Sequence, residues 1–353
     1  MRILVINPGS TTTKIAIYDD EKPVLLRTIA HRPEELAQFA TIADQRIFRR
    51  DIILSELRRL GVPFRFDAII GRGGLARPVA GGVYEVNERM CVDMYNARRQ
   101  HVCNLGCIIA YELGGQLPGC RVFMADPVVV DEMEEVARVS GSPLMPREPV
   151  WHALNQRAIA RRFARECGRR YEELNLIVCH MGGGISVAAH RRGRAVDANN
   201  ALDGEGPLSP ERAGSLPAAD LIRLCYSGRY TEAELLKRIA GAAGLAAHLG
   251  TTDVKEILGR IERGDARAKL LIDAMAYQTA KCIAAEGAVL CGEVDAILIT
   301  GGIAHSDYVV DEIRRRVSFM APVHVYPGED EMEALALNAL EVLRGRREVL
   351  SYD

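Results

Sequence analysis

The stretch Arg2-Ile-Leu-Val-Ile-Asn-Pro-Gly-Ser-Thr-Thr-Thr-Lys-Ile-Ala-Ile-Tyr18 decides how the rest of the chain is interpreted. Two short apolar runs, Ile3 to Ile6 and Ile15 to Tyr18, flank a polar segment with one glycine and four consecutive hydroxyl residues. This pattern predicts two strands joined by a tight turn. A turn rich in backbone N–H groups and hydroxyls, followed by Lys14, is suited to binding an oxyanion such as phosphate.

Two other interpretations of this stretch are possible. A P-loop would need a second glycine before Lys14 and a helix after it, whereas here a β-rich run follows. We therefore reject the P-loop. An ordinary hairpin with a Thr-rich turn remains the simplest alternative when the stretch is taken alone.

The pattern occurs a second time, which favours a functional hairpin. Leu176-Ile-Val-Cys-His-Met-Gly-Gly-Gly-Ile-Ser-Val-Ala-Ala-His190 again contains a strand, a polar residue, a glycine turn and a strand. In this comparison Asn7 is equivalent to His180, and Gly9 is equivalent to Gly182.

A second pair of segments repeats in the same order. Asp67-Ala-Ile-Ile-Gly-Arg-Gly-Gly74 resembles Asp295-Ala-Ile-Leu-Ile-Thr-Gly-Gly302, and each follows its hairpin along the chain. Such a long internal repeat predicts two similar domains rather than a solenoid, which has shorter and more numerous units. Two glycine-rich hairpins on opposite walls of a cleft could hold a polyphosphate.

The bulk composition limits the classes of function. A length of 353 residues is typical of two domains, and a net charge of −2 gives no electrostatic reason to expect nucleic acid or an anionic membrane as a partner. Nine cysteines without a Cys-x-x-Cys pair indicate reduced thiols rather than zinc or disulfides. No apolar stretch is long enough to span a membrane, and Asn7-Pro8 interrupts the first apolar run too early for a signal peptide. We expect a cytoplasmic protein.

Polar residues at predicted strand ends are further candidates. Arg72 lies between glycines after a short buried strand, and Asp126 follows the strand Val122 to Met124. Arg72 could instead point to solvent from a turn, and Asp126 could be a capping residue. The segment 203–214, dense in glycine and proline, presents Glu205, Glu211 and Arg212 on a shaped loop.

Strands and helices alternate along the chain, which predicts an α/β protein. The predicted helices are Pro33 to Leu60, Met90 to Leu113, Pro149 to Cys167, Ala218 to Tyr226, one that opens at Thr231 to Glu234, Glu256 to Ile261, Ala266 to Leu290, Ser306 to Phe319 and Asp330 to Leu343.

Three motifs together resemble those of the acetate and butyrate kinase family, within the actin, sugar-kinase and Hsp70 ATPase superfamily. They are Asn7-Pro-Gly-Ser-Thr-Thr-Thr-Lys14, His180-Met-Gly-Gly-Gly184 and Gly204-Glu-Gly-Pro-Leu-Ser-Pro-Glu-Arg-Ala-Gly214. The last motif, with Gly328-Glu-Asp-Glu-Met332, is more similar to butyrate and branched-chain fatty acid kinases than to acetate kinases.

The resemblance implies two duplicated actin-like ATPase (ribonuclease H-like) domains with a central cleft. The N-terminal domain would comprise residues 1–148 completed by 330–353, and the nucleotide-binding domain residues 149–329. The implied reaction is phosphoryl transfer from ATP to a short-chain carboxylate, with Mg²⁺, giving ADP and an acyl phosphate. A small-molecule substrate is thus the expected partner, in a homo-oligomer that is a dimer or larger.

The resemblance also implies site residues. Catalytic roles fall to Arg72 for the acceptor carboxylate, Asp126 for magnesium and acceptor geometry, His180 at the second phosphate loop, and Arg212 for the moving phosphoryl. The nucleotide-binding residues would be Asn7, Ser10, Thr12, Lys14, Gly182, Gly183, Gly184, Asp253, Lys255, Gly301, Gly302 and Ile303. Acetate kinases carry a glutamate where this chain has His305, so the metal would rely on Asp126, on phosphate oxygens and water, or on Glu329 or Glu331.

The chemistry of phosphoryl transfer to a carboxylate agrees with this set of site residues. A carboxylic acid with a pKa of about 4.3 is already ionised at neutral pH, so the acceptor needs no general base. What remains is to align two anions and neutralise the charge of the moving group, which requires arginines, a metal and backbone donors.

Three alternatives stay open from the sequence. The acceptor could be acetate, propionate or a branched-chain acid, because one methylene is worth only about 1–3 kcal/mol of discrimination. The chain could be a non-catalytic, nucleotide-gated module of the same superfamily. It could also be a sugar or glycerol kinase, with Asp126 as the base that activates a hydroxyl.

Overall fold

The computed structural model describes residues 1–97 and 99–353 and has an α/β architecture. The chain divides into two compact units. Unit 1 consists of Met1–Val130 and Asp330–Asp353, and unit 2 consists of Asp131–Glu329. Unit 1 is therefore discontinuous in sequence, because the last segment of the chain belongs to the unit in which the chain began.

Strands and helices alternate in both units. The strands are β1 (Arg2–Pro8), β2 (Thr12–Asp19), β3 (Lys22–Ala30), β4 (Ala68–Arg72), β5 (Val83–Glu85), β6 (Arg121–Ala125), β7 (Asn175–Met181), β8 (Ile185–Arg191), β9 (Arg194–Ala198), β10 (Ala296–Gly301), β11 (Val323–Pro327) and β12 (Val349–Leu350). The helices are α1 (Pro33–Ala37), α2 (Arg46–Arg59), α3 (Glu88–Tyr95), α4 (Asn104–Gly114), α5 (Glu135–Arg138), α6 (Ala153–Glu166), α7 (Ala218–Cys225), α8 (Glu232–Lys237), α9 (Gly244–Leu249), α10 (Val254–Glu262), α11 (Ala266–Val289), α12 (Asp307–Val317) and α13 (Glu331–Leu343). No described helix has the length and apolar character needed to cross a bilayer.

Each unit is built on one mixed sheet. The strand order is β12-β5-β6-β4-β1-β2-β3 in unit 1 and β11-β10-β7-β8-β9 in unit 2. The five strands from β6 to β3 correspond in order and direction to the five strands of unit 2. In both, an antiparallel three-stranded meander joins two further strands that run parallel to its first strand. The predicted duplication is confirmed.

The duplication extends to a carboxylate that precedes the parallel strand. Asp67 Oδ2 accepts a 2.6 Å hydrogen bond from the N–H of Arg2, at the start of β1. Asp295 Oδ2 accepts a 2.8 Å bond from the N–H of Asn175, at the start of β7. Each bond links the beginnings of two neighbouring parallel strands, so the repeated aspartates have the same structural role.

The core of each unit lies against its sheet. In unit 1, α4 packs on β1, β4 and β6, and Leu4 and Ile6 of β1 belong to the same apolar cluster as α4. Since strand side chains alternate between faces, Ile3 and Val5 point to the other face, where α13 packs. In unit 2, the long helix α11 packs on β7, β8 and α12. Sheets covered on both faces explain why the central strands are almost continuously apolar.

Two of the predicted helices are each divided into two helices in the structure, and each interruption has a local cause. The prediction from Pro33 to Leu60 was wrong between α1 and α2, because Thr41 and Asp44 cap each other's backbone N–H groups and start a new helical segment. The prediction from Met90 to Leu113 was wrong between α3 and α4. Asn104 donates to the carbonyl of Met94 at the end of α3. Arg98, which the second prediction also spanned, lies outside the described residues.

Residues 131–148 belong to unit 2, whereas the sequence interpretation assigned them to the first domain. The bonds of this segment explain the difference. The N–H of Glu134 donates to the carbonyl of Val196 at 2.9 Å, and Arg157 pairs with Glu132 at 2.9 Å.

Candidate functional site

The tip of the first hairpin, residues 9–12, is held from inside unit 1. Arg49 Nη1 donates to the carbonyl oxygens of Gly9 and Thr12, both at 2.9 Å, and its Nη2 donates to that of Ser10 at 3.2 Å. Ser10 and Thr11 are exposed at the tip. The tip therefore presents hydroxyl groups outward while its carbonyl groups face the protein.

The hydroxyl and ammonium side chains of this hairpin differ in exposure. Lys14 is exposed on β2 and Thr12 is half-buried, whereas Thr13 is fully buried. Thr13 Oγ1 lies 2.8 Å from His31 Nε2 and accepts from Arg49 Nη1 at 3.1 Å. Of the predicted first-loop residues, Ser10, Thr12 and Lys14 thus remain accessible to a ligand.

Arg49 was missed by the sequence analysis, although a signal exists. It lies on α2 at the spacing i, i+4, i+8 with Ile53 and Leu57, and these three residues form the buried face of the helix. An arginine in the apolar stripe of an amphipathic helix must be paired inside, because a buried unpaired charge is costly.

Asn7, Arg72 and Glu331, all predicted site residues, meet in unit 1. Glu331 Oε2 accepts one hydrogen bond from Asn7 Nδ2 and another from Arg72 Nη1, each 2.7 Å long. Asn7 and Glu331 are buried, and the side chain of Arg72 is 23% exposed. The end of β1 and the glycine-flanked arginine thereby both bond to a carboxylate at the N-terminus of α13.

Position 71, before Arg72, requires glycine for a steric reason. A Cβ atom at Gly71 would lie 2.3 Å from the carbonyl oxygen of Gly106 in α4, so only glycine allows this contact of β4 with α4. This close contact fixes the backbone that carries Arg72.

Asp126 lies in the same unit at the end of β6. Its backbone has φ 39°, a left-handed value that few residues other than glycine, asparagine and aspartate adopt. Its side chain is fully buried, and Arg347 Nη2 lies 3.9 Å from Oδ2. Arg347, from the C-terminal segment, was not predicted; its signal was only its place in a run of tail arginines.

His180 occupies in unit 2 the place that Asn7 has in unit 1. Both are the penultimate residue of a seven-residue strand that opens a hairpin. His180 is buried, and its Nε2 lies 3.1 Å from Glu329 Oε1. Its ring stacks on that of His152 with 4.1 Å between centroids, and His152 Nδ1 lies 2.8 Å from Ser186 Oγ. The sequence analysis did not single out His152, because it is distant in sequence from the glycine loop.

The glycine loop of unit 2 is packed against the shaped segment that follows β9. The carbonyl of Gly183 accepts from the N–H of Glu211 at 3.1 Å and from Ser209 Oγ at 2.7 Å. Arg212 lies directly over the next glycine. A Cβ atom at Gly184 would be 2.2 Å from Arg212 Nη1, so the absence of a side chain there makes room for the guanidinium.

Beside this loop lies a cavity of about 810 Å³, entirely within unit 2. Several predicted nucleotide-binding residues line it. The lining residues are Gly182, Gly183, Pro210, Glu211, Thr252, Asp253, Val254, Lys255, Leu258, Gly302, Ile303, His305, Ser306 and Glu329. Its volume is in the range of small-molecule pockets, and its walls combine aliphatic side chains with a few polar groups.

Two predicted residues of this region have structural roles as well. Asp253 caps α10, because its Oδ1 accepts from the N–H groups of Lys255 at 2.9 Å and Glu256 at 3.2 Å. Gly301 does not line the cavity; it adopts φ +96°, and a Cβ there would lie 2.3 Å from the carbonyl oxygen of Met181. It therefore joins β10 to the cavity wall formed by Gly302 and Ile303.

Within the described residues, no group of three or more histidine, cysteine, aspartate or glutamate side chains is arranged to hold a metal ion. The two predicted metal residues, Asp126 and Glu331, are both in unit 1. One or two carboxylates are nevertheless the donor set that Mg²⁺ uses when phosphate oxygens and water supply the remaining ligands. The residues present fit a magnesium ion of that kind.

Comparison with known proteins gives a consistent result. Residues 147–334 match the family described as the acetokinase family. A protein of Bacteroides thetaiotaomicron named probable butyrate kinase is 62% identical over 352 residues, with 100% of each chain covered. Butyrate kinase 2 of Clostridium acetobutylicum is 49% identical over 353 residues, with 99% of each chain covered.

Solved structures share the fold. The crystal structure of Porphyromonas gingivalis acetate kinase superposes with a TM-score of 0.79 at 20% identity, covering 97% of this chain and 99% of that one. Acetate kinase from Entamoeba histolytica superposes with a TM-score of 0.76 at 15% identity, covering 95% of this chain and 98% of that one. The predicted fold class is confirmed by these likenesses.

Proposed function

This chain belongs to the acetokinase family, and from that premise we propose that it catalyses phosphoryl transfer from ATP to butanoate, giving ADP and butanoyl phosphate. The observation that carries the proposal is the high identity, over the full chain, to two relatives named butyrate kinase. A carboxylate oxygen attacks the γ-phosphorus, the bond from phosphorus to the bridging oxygen breaks, and the electron pair leaves with ADP.

Arg72 is proposed to bind the acceptor carboxylate. Its guanidinium already holds a carboxylate, that of Glu331, at 2.7 Å. The substrate presents the same functional group, and arginine suits it because two N–H groups can face two oxygens. The acceptor is ionised at neutral pH, so this contact orients a nucleophile rather than generating one.

Arg212 and the glycine loop are proposed to stabilise the moving phosphoryl group. The guanidinium lies over Gly184, and the loop backbone is bonded to Glu211 and Ser209. Donors fixed in this way cost little reorganisation as negative charge shifts in the transition state. His180, near the end of β7 just before this loop and held by Glu329 and the ring of His152, is proposed to donate a hydrogen bond to the same phosphoryl group.

The cavity of unit 2 is proposed to hold the adenosine part of ATP. Val254, Leu258 and Ile303 supply apolar wall for the base, and Lys255 supplies a positive charge for phosphate. The accessible Ser10, Thr12 and Lys14 of unit 1 are proposed as phosphate ligands, because hydroxyl, ammonium and backbone N–H donors suit oxyanions. His305, which by the family resemblance replaces the glutamate of acetate kinases, also lines this cavity.

Asp126 and Glu331 would hold Mg²⁺, directly or through water. When bound, the metal would neutralise charge on the phosphate oxygens. Glu331 Oε2 is engaged by Asn7 and Arg72, so Asn7 and Arg72 orient the carboxylate that would face the ion.

We propose that the protein is cytoplasmic. All nine cysteines are free in the structure, which suits a reducing, cytoplasmic compartment. We also propose a homo-oligomer, a dimer or larger, as the resemblance to the family implies. Sedimentation velocity at micromolar concentration would contradict this part by showing only monomer.

The experiment that tests the function is a coupled ADP-release assay across acceptors. Butanoate should be turned over with the highest kcat/KM among acetate, propionate, butanoate, 2-methylpropanoate and 3-methylbutanoate. Trapping the product with hydroxylamine should give the acyl hydroxamate, which distinguishes acyl phosphate formation from ATP hydrolysis. Turnover of glycerol or hexoses in place of acids would refute carboxylate specificity, and nucleotide binding without any turnover would favour a regulatory module.

A further inference from the structure

Arg49 is a fully buried charge whose position needs an explanation. It is 0% exposed on α2, and burial lowers the pKa of its guanidinium to about 10. Removing a charge from water costs roughly several kcal/mol, and hydrogen bonds of favourable geometry must offset that cost. Neither the family resemblance nor the proposed chemistry uses this residue.

All three nitrogens of the guanidinium are bonded. Nη1 and Nη2 donate to the carbonyls of Gly9, Thr12 and Ser10 and to the hydroxyl of Thr13. Nε and Nη2 also donate to Gln45 Oε1 at 3.1 and 2.9 Å, so Gln45 fixes the plane of the group from behind. The side chain is thereby a template against which the hairpin tip is formed.

The bonds determine which way the tip faces. With the bond from the N–H of His31 to the carbonyl of Thr11 at 2.9 Å, all four carbonyls of residues 9–12 accept hydrogen bonds from the protein. In a trans peptide the C=O and the next N–H point in opposite directions. Inward carbonyls at Gly9 and Ser10 therefore turn the N–H groups of Ser10 and Thr11 outward. In the described part of the chain, these two N–H groups donate to no acceptor.

We propose that Arg49 is a positioning residue that holds the first hairpin tip in its phosphate-binding form, with N–H and hydroxyl groups outward. The inference rests on the proposed use of this tip by ATP. Without the template, the carbonyls of Gly9 and Ser10 can turn outward and oppose phosphate oxygens. Lysine cannot replace it, because a single ammonium cannot reach several acceptors in the geometry of the planar fork.

The test compares Arg49→Lys with Arg50→Lys, a matched control on the same helix. Arg50 bonds to Asp51 and Glu112 near the surface and does not contact the tip. Calorimetry with a magnesium-loaded, non-hydrolysable ATP analogue measures the affinity for nucleotide. The amides of Gly9 and His31 donate to carbonyls of the tip, so their hydrogen-exchange rates show whether the tip keeps its conformation.

Arg49→Lys is expected to weaken analogue binding at least about tenfold, or about 1.4 kcal/mol, and to speed exchange at Gly9 and His31. The KM for butanoate should change less than twofold, and Arg50→Lys should match the wild type. If Arg49→Lys does not show a cooperative melting transition, Gln45→Ala replaces it in the same measurements. This variant removes only the bonds between Gln45 and the guanidinium of Arg49, and it should weaken analogue binding about threefold.

Two results would overturn the proposal. The first is faster exchange at Gly9 and His31 with unchanged analogue binding, because the tip would then not hold nucleotide. The second is equal weakening for the analogue and butanoate, which indicates a general loss of structure. The proposed function fails separately, if wild-type protein binds the analogue but does not phosphorylate butanoate.

Discussion

The guanidinium of Arg72 and the carboxylate of Glu331 form a 2.7 Å ion pair between residues 259 positions apart in the chain. The pair attaches the first residue of α13 to the end of β4 inside unit 1. The same carboxylate oxygen receives Asn7, so three separate segments contribute to one small polar cluster. Substitution of any one of these residues should therefore change the environment of the other two.

Arg72→Lys should raise the KM for butanoate at least about tenfold while the KM for ATP stays within twofold. The reason is loss of the planar fork that can face both carboxylate oxygens. Steady-state kinetics with each substrate varied in turn measures the effect. Arg77→Lys, which alters an exposed partner of Asp93, is the control. A parallel rise for both substrates would indicate damage to the fold instead.

Arg212→Ala should lower kcat by about a hundredfold or more, equivalent to about 2.7 kcal/mol, with nucleotide affinity within threefold. The guanidinium is proposed to meet charge that develops only in the transition state. Rapid-quench measurement of acyl phosphate formation separates this step from product release. Arg223→Ala, at an exposed pair with Asp220, should be neutral. A fall of less than tenfold would remove Arg212 from the chemical step.

Gly184→Ala should reproduce most of the loss seen for Arg212→Ala, because the new methyl group would lie 2.2 Å from Arg212 Nη1. The two changes act on one guanidinium, so the double variant should be little worse than either single variant. A double-mutant cycle in kcat provides the measurement. Gly141→Ala, with no atom within 4 Å of its new Cβ, is the control. Additive losses would show that Gly184 acts independently of Arg212.

His31 should make the protein less stable in weak acid. Burial first, and then the positive charge of Arg49, lower the pKa of His31, while Glu35 acts in the opposite direction. His31 Nε2 lies 2.8 Å from Thr13 Oγ1, the same oxygen to which Arg49 Nη1 donates, so a charged imidazole would place a second positive charge close to the guanidinium.

The unfolded chain therefore binds a proton at His31 at a higher pH than the folded chain does. Stability from this residue is complete above about pH 6.5 and declines as the pH falls below that value towards the folded pKa. Urea titrations of wild type and His31→Gln between pH 5 and pH 8 measure the difference. A constant difference across that range would contradict the prediction.

Glu286 should have the opposite pH dependence. Burial, with Asp197 adding to it and Arg147 opposing it, raises the pKa of Glu286 from 4.5 to about 8. The folded state thus holds a proton that the unfolded state has released, and stability from this residue falls as the pH rises through that window. Glu286→Gln should melt at a higher temperature than the wild type at pH 8 and at a similar temperature near pH 4.5. Equal melting temperatures at pH 8 would refute the assignment.

The sequence predicted best what depends on local patterns. Both hairpins are signalled by apolar runs on either side of glycine and hydroxyl residues, and the repeat of Asp67 in Asp295 is visible without coordinates. The edge strand β3 was missed because most of its residues are exposed on both faces. Apolar spacing alone also could not show the Thr41–Asp44 cap that interrupts the first long predicted helix.

The missed site residues share a different cause. Arg49, His152 and Arg347 acquire their roles only through packing against residues far away in sequence. Arg49 had a helical-spacing signal, but His152 had none near the glycine loop. Motif-based prediction finds residues within the loops that meet a ligand, whereas residues that support those loops depend on tertiary structure.

The discontinuity of unit 1 has a consequence during synthesis. Unit 2 is one continuous segment, Asp131–Glu329, and all of it has been translated before α13 and β12. As a nascent chain emerges from its N-terminus, unit 2 can complete its core while the first 130 residues still wait for their closing helix. Until Glu331 is made, Arg72 and Asn7 lack their shared partner. Unit 2 can thus fold before unit 1, which is completed only when α13 and β12 have left the ribosome.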